Sequence, residues 1–339
     1  MLYIRPVEKT DLDDLLELSV KAGKGMTSLP NDAEALLQSI EKSMDSFSRT
    51  HGEPDDYFLL VMVDTDKNKV VGTAGVHART GARQAFYAYR ILSLTHHSHS
   101  LDKQIRTEML QLSNDYTDCS EVGTLFLDPA YRGNGHWLSR SRYLLMGQFP
   151  QRFASHVIAE MRGWVDAEGR SPFWEAIGRH FFEMDFEEAD KLCGVGSNQF
   201  ITELMPKHPI YTQLLPDEAR EVIGKPNDDG RRAKELLEEE GFEYDKVVDI
   251  FDAGPLLRAR ISRIRSICNI QTAQVASSLN KQTEPQDGLA IISNGRMPEF
   301  RVACRPCSSS DDKTVALEAD TMAALGVKPG DAVHFIPMK

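Results

Sequence analysis

Residues 121–146, EVGTLFLDPAYRGNGHWLSRSRYLLM, constrain the fold more than any other stretch, because they read as a buried strand passing through a glycine turn into a helix. Val122, Leu125, Phe126 and Leu127 form a short apolar run that Asp128-Pro129 stops. Trp137, Leu138, Tyr143, Leu144, Leu145 and Met146 then resume at near-helical spacing. Between them, Arg132-Gly133-Asn134-Gly135-His136-Trp137 carries two glycines that can approach a ligand closely and take positive φ. Consecutive backbone N–H groups exposed at a helix N-terminus favour an anion, and a pyrophosphate is the natural guest. The competing reading of this motif alone is a chain reversal with no ligand.

With Arg132 and Gly135 in register, the turn resembles the CoA-binding motif of the GNAT superfamily of N-acyltransferases, Arg/Gln-x-x-Gly-x-Gly/Ala after a strand. Trp137 departs from it, since a small residue is usual there.

A chain of 339 residues exceeds one small core and implies one large domain with a smaller one. Its 51 acidic against 39 basic residues give a net charge of −12, which opposes nonspecific attraction to nucleic acid. No apolar run approaches the roughly 18 residues of a membrane span, and MLYIRPVEKTDLDD lacks the apolar region of a signal peptide, so a cytoplasmic protein without membrane partners is expected. Five scattered cysteines suit reduced thiols. Cys304-Arg-Pro-Cys307 has no second pair to complete a zinc site, and His96-His97-Ser98-His99 reads as exposed loop histidines, so no metal is expected.

In chain order, residues 3–7 read as a first strand and Thr10 or Asp11 caps a helix with Leu12, Leu15, Leu16 and Leu18. Residues 23–31 form a loop before a second helix from Asp32. Residues 57–63 and 70–76 form a hairpin, and 86–94 another strand. After the central unit, residues 157–163 make a strand that turns Glu160 and Arg162 to one face, and Ser171-Pro172 starts a helix with an apolar stripe, Phe173, Trp174, Ile177, Phe181 and Phe182. A helix over 231–241 and a strand over 246–251 follow. Beyond about Ser266 short β-prone runs separated by turns predict a small β-rich domain. The expected class is α+β with a mixed sheet, divided into residues 1–265 and 266–339.

Taken together, TSLP at 27–30, TLFLDP at 124–129, AEMRG at 159–163, SPFWEAIGRHFF at 171–182, ELMPKHPIY at 203–211 and DIFDAGP at 249–255 resemble the bacterial arginine N-succinyltransferases over most of the chain. The resemblance implies a GNAT-like acyltransferase domain and a small β domain. It implies succinyl-CoA as co-substrate, no tightly bound cofactor, and succinylation of the α-amine of L-arginine, giving N2-succinylarginine and CoA in arginine catabolism. Family members place a proposed proton-donor histidine in a Gly-x-x-His loop, where this chain has Gly224-Lys225-Pro226-Asn227. Asparagine can orient a group but cannot exchange a proton at neutral pH.

The reaction needs a neutral amine, a polarised thioester and a cradle for the CoA phosphates. Backbone groups of Arg132, Gly133, Asn134, Gly135, His136 and Trp137 are the candidates for the phosphates, and the strand at Leu125 and Leu127 for the pantetheine arm. Glu160 is the candidate proton acceptor, directly or through water, with Asn227 orienting. Arg90 or Arg162 suits a carboxylate, and Asp249 or Asp252 a guanidinium. Three readings stay open: an arginine succinyltransferase, an acyltransferase for a related amine such as ornithine or for another acyl-CoA, and a non-catalytic CoA-binding subunit. A homo-oligomer or an assembly with a paralogous subunit is expected.

Overall fold

The computed structural model describes the whole chain except residues 24–25, 196–198, 277–287, 310–312 and 339; of the expected loop 23–31, residues 24 and 25 therefore lie outside the described residues. Two compact units emerge, one from residues 1–78, 122–155 and 260–339, the other from residues 79–121 and 156–259.

The chain opens with β1 (Leu2–Pro6), α1 (Leu12–Ala22) and α2 (Ala33–Ser48). Asp32 begins α2 by accepting a hydrogen bond from the Ala35 amide at 2.8 Å, satisfying a donor that the helix itself cannot. β2 (Tyr57–Asp64) and β3 (Lys69–His77) form the expected hairpin. The apolar stripes of both helices, including Leu15, Leu18, Leu36 and Ile40, pack with Leu59 and Val61 of β2. β4 (Ala88–Ser98) and β5 (Lys103–Ser113) follow, then β6 (Ser120–Leu127) and α3 (Gly135–Gln148). The division between the units falls inside β6, after Glu121.

β7 (His156–Glu160) leads into α4 (Pro172–Ala176), α5 (Gly178–Phe182), α6 (Phe186–Val195) and α7 (Gln199–Leu204). β8 (Ile210–Tyr211), α8 (Asp217–Arg220), α9 (Arg231–Glu239), β9 (Glu243–Val248) and β10 (Pro255–Arg260) complete this part. The remaining elements are α10 (Arg265–Cys268), β11 (Gln271–Val275), β12 (Leu289–Ser293), β13 (Val302–Pro306), β14 (Ser308–Ser309), β15 (Thr314–Ala316), α11 (Ala319–Leu325) and β16 (Ala332–Pro337).

Within the first unit the strands run β14-β15-β11-β16-β12-β13-β1-β2-β3-β6, and within the second β7-β10-β9-β4-β5-β8. Ser120 and Glu121 of β6 pair in parallel with Val157 and Ile158 of β7. The C-terminal strands have a core of their own, with Val315, Leu325, Val333 and Phe335 among its members. Strand pairing nevertheless continues from β13 to β1 at Ile4 and Val302.

Three local departures have physical causes. The helix from Ser171 breaks into α4 and α5 at Ile177, whose φ and ψ of −127° and −71° are not helical. Gly178 lies flat against Trp174, where a Cβ would meet the ring at 2.2 Å, and Phe181 turns outward at 41% exposure. The strand expected over 86–94 extends to Ser98 and pairs along its length with β5, so His96 and His97 belong to a strand and not to a loop. The strand expected over 157–163 ends at Glu160, leaving Arg162 beyond it.

Candidate active site

The glycine turn lies in the first unit. After β6, a 3₁₀ turn over Pro129–Tyr131 leads through Arg132 to Gly133, whose φ of 97° is one that a side chain rarely allows. Asn134 precedes α3, and the amides of Gly135, His136 and Trp137 form its first turn, where no intrahelical acceptor exists. Trp137, the departure from the motif, is buried; its indole Nε1 donates to Asn134 Oδ1 at 2.9 Å, while Asn134 Nδ2 donates to the Tyr131 carbonyl at 2.9 Å. The tryptophan thereby braces the turn from the helix side. Arg132 is exposed. Gly133, Asn134, His136 and Trp137, together with Tyr131 and Arg305, line a cavity of about 510 Å³.

Upstream in β6, Thr124 takes φ 49°, an uncommon value for a residue with a side chain. The Tyr57 hydroxyl lies 3.0 Å from Thr124 Oγ1, and Thr73 Oγ1 donates to the Thr124 carbonyl at 2.8 Å, so the kink is held from two strands. Leu125 and Leu127 follow this kink.

An acidic cluster lies in the second unit. Asp249, after β9, accepts through Oδ1 from the amides of Phe251 at 2.7 Å and Asp252 at 2.8 Å, closing a tight turn. Asp252 Oδ1 accepts from the Gly254 amide at 2.9 Å, and its Oδ2 lies 3.3 Å from Arg162 Nε. Such close approach needs glycine: a Cβ on Gly163 would stand 2.2 Å from the Asp252 carbonyl, and one on Gly254 2.0 Å from that of Met161. Arg162 also places its guanidinium 4.9 Å from the centre of the Phe186 ring.

Glu160 and Asp249 share a hydrogen bond between their carboxyl groups, which requires a proton on one of them. Desolvation, then repulsion from Glu121 and Asp252, pushes Glu160 up to about 8 against the pull of Asp249's hydrogen bond and of Arg162. By surface accessibility Glu160 is an exposed residue, at the solvent end of β7. Desolvation, then the Glu160 charge, pushes Asp249 up to about 7; desolvation, then Asp249, pushes Asp252 up to about 8 despite Arg162. Desolvation alone pushes Glu121 up to about 7. The four groups act as one set whose protons leave near neutrality.

Of the residues expected from sequence, Glu160, Arg162, Asp249 and Asp252 thus come together. Asn227 adjoins them, for its amide donates to the Arg162 carbonyl at 2.7 Å. Its side-chain Oδ1 accepts from the Asp229 amide at 3.1 Å, capping the turn over Asp228–Gly230. Arg90 is engaged elsewhere in the unit, with Nε 3.0 Å from Asp115 Oδ2 and Nη1 3.5 Å from Asp245 Oδ2. Glu121 was not singled out. Its place follows only from the parallel pairing with Ile158, which sets it on the same sheet face as Glu160, two residues on. Thr124 carries no sequence signal for its backbone conformation. Among the described residues no group of three or more His, Cys, Asp or Glu is arranged to hold a metal, and no helix is long and apolar enough to cross a membrane.

Comparison with known proteins follows the same residues. Residues 2–266 match the family model described as arginine N-succinyltransferase beta subunit, and residues 271–337 that of its C-terminal domain. A protein of Yersinia enterocolitica named arginine N-succinyltransferase is 41% identical over 100% of this chain and 98% of its own length; one of Escherichia coli with the same name is 38% identical over 99% and 97%. Among solved structures, the arginine/ornithine succinyltransferase subunit AI of Pseudomonas aeruginosa superposes with a TM-score of 0.88 at 32% identity, covering 99% of this chain and 98% of that one. With a mixed α+β fold and matches that run the length of the sequence, the chain belongs to the arginine N-succinyltransferase family.

Proposed function

We propose that this chain transfers the succinyl group of succinyl-CoA to the α-amine of L-arginine, with a GNAT-like use of the strand-turn-helix. The observation that carries the reading is the Glu160–Asp249 carboxyl pair, a proton acceptor poised near neutrality in a chain of this family. The pyrophosphate of CoA takes the amides of Gly133 to Trp137, with Arg132 adding charge, and the pantetheine arm follows the backbone at Leu125 and Leu127 past the Thr124 kink. Glu160 removes one proton from the arginine ammonium. The free amine attacks the thioester carbon, the C–S bond breaks as the adduct collapses, and the second N–H proton leaves with the CoA thiol. Arg162, tied to Asp252, is the cation nearest the pair for a carboxylate, and Asp249 or Asp252 attracts the guanidinium. Asn227 holds the loop beside Arg162 and moves no proton.

Ornithine is the second amine to consider, because the similar Pseudomonas protein is named for both amines. The test is release of free thiol from succinyl-CoA by the purified chain, with arginine and ornithine compared, alongside calorimetry of CoA on wild type and Arg132→Glu. The reading predicts turnover with arginine and at least a 10-fold loss of CoA affinity in the variant. Unchanged affinity in a folded Arg132→Glu protein contradicts the phosphate assignment; no thiol release with either amine contradicts the catalytic one.

A further inference from the structure

We propose that Arg142 of α3 takes the free carboxylate of the succinyl group and thereby sets the acyl preference of this chain, an inference that rests on the succinyl-CoA reading above. The observation is a buried cation with no acid beside it. Arg142 is 2% exposed. Its Nε donates to the Ser139 carbonyl at 3.1 Å, its Nη2 to Ser139 Oγ at 2.7 Å and its Nη1 to the Gly123 carbonyl at 3.2 Å. Among the described residues no carboxylate is paired with it, and the only side chains that act on its charge are Tyr143 and Tyr57. Burial therefore holds its pKa below the ordinary guanidinium value. Other arginines of the chain are provided for: Arg152, also buried, has Asp56 at 2.7 Å, while Arg90 and Arg162 have Asp115 and Asp252. A buried charge without a counter-charge is costly, which points to an anion that arrives with a ligand.

The place of Arg142 fits the far end of the acyl chain. Gly123, whose carbonyl it holds, directly precedes the Thr124 kink. With the pantetheine arm running along Leu127 and Leu125 to that kink, an acyl chain continued in the same direction reaches Gly123. There the strand leaves room, for a Cβ on Gly123 would meet nothing within 4 Å, whereas one on Gly75 would meet the Tyr57 hydroxyl at 2.8 Å and Thr124 Oγ1 at 2.9 Å. Three of the five guanidinium N–H groups are used, which leaves one on each terminal nitrogen, and a carboxylate takes such a pair in two parallel bonds. Exclusion of water around Arg142 strengthens that pairing. A four-carbon acyl chain ending in a methyl would leave the cation buried and alone, so the site rejects the neutral chain as well as attracting the charged one.

The test is calorimetry of succinyl-CoA and butyryl-CoA, which share a four-carbon acyl chain, on wild type, Arg142→Met and Arg142→Lys. Wild type should bind succinyl-CoA at least about 10-fold more tightly than butyryl-CoA. Arg142→Met should lose that difference through weaker succinyl-CoA binding, with butyryl-CoA affinity kept; Arg142→Lys, which retains the charge without the fork, should keep a smaller preference of the same sign. A wild type that does not distinguish the two thioesters overturns the proposal. So does an Arg142→Met protein that weakens both equally, since a brace between α3 and β6 would do the same, or one that keeps the full preference. If Arg142→Met does not fold by circular dichroism, the lysine variant decides, and loss of all preference there overturns the proposal. These affinities need no turnover. Absence of thiol release with either amine would contradict the transfer reading alone, and turnover with no acyl preference would contradict the role of Arg142 alone.

Discussion

A carboxyl group that keeps its proton to about pH 7 or 8 in the folded chain and releases it near pH 4 when unfolded couples ionisation to stability. Glu121, Glu160, Asp249 and Asp252 are all displaced in that direction. Between those limits the folded protein holds protons that the unfolded chain loses. The stabilisation is fully present below about pH 4 and is lost as pH rises through 7 to 8. Glu121→Gln removes one of these charges and should raise Tm by a few degrees at about pH 8.5 while leaving it unchanged near pH 5. It should also shift the alkaline rise in activity to lower pH, because the Glu121 charge helps to hold the Glu160 proton. Equal Tm differences at both pH values would contradict this. The charged residues of this cluster were legible wherever the chain announces them, as Glu160 and Arg162 do by alternation. Glu121 was hidden, since its position beside Glu160 arises from the pairing of two strands 37 residues apart in register.

Elements were legible where hydrophobic period and cap agree. Asp32 before α2 and Ser171-Pro172 before α4 announce helix starts, and both side chains accept the expected amide hydrogen bonds. β5 escaped because KQIRTEMLQLS alternates charged and apolar residues that are largely exposed, so it lacks the apolar run of a buried strand. α11 was likewise masked by the β-prone texture around it. The turn after β9 has a sharper requirement. Because a Cβ on Gly163 would stand 2.6 Å from Asp252 Oδ1 as well as 2.2 Å from the carbonyl, Gly163→Ala must push Asp252 off Arg162. We expect roughly a 10-fold or greater loss of kcat/KM in a protein that remains folded by circular dichroism. Wild-type kinetics in that variant would show that the contact of the two segments is not needed.

At the scale of the molecule, chain order and three-dimensional grouping differ. Sequence texture sees a change near residue 266, and the two family models meet between 266 and 271, but the compact units interleave four crossings of the chain. No local pattern encodes such interleaving, because it depends on which strands pair: β13 with β1, and β6 with β7. The central claim is that the Glu160–Asp249 pair takes the substrate proton. It is tested most directly by the pH dependence of thiol release from succinyl-CoA with arginine, in wild type and Glu160→Gln, with CoA affinity measured alongside. Wild-type kcat/KM should rise through pH 7 to 8 and then level, and Glu160→Gln should lose about 100-fold or more together with that rise while binding CoA normally. Full activity in Glu160→Gln, with the same rise in pH, would contradict it.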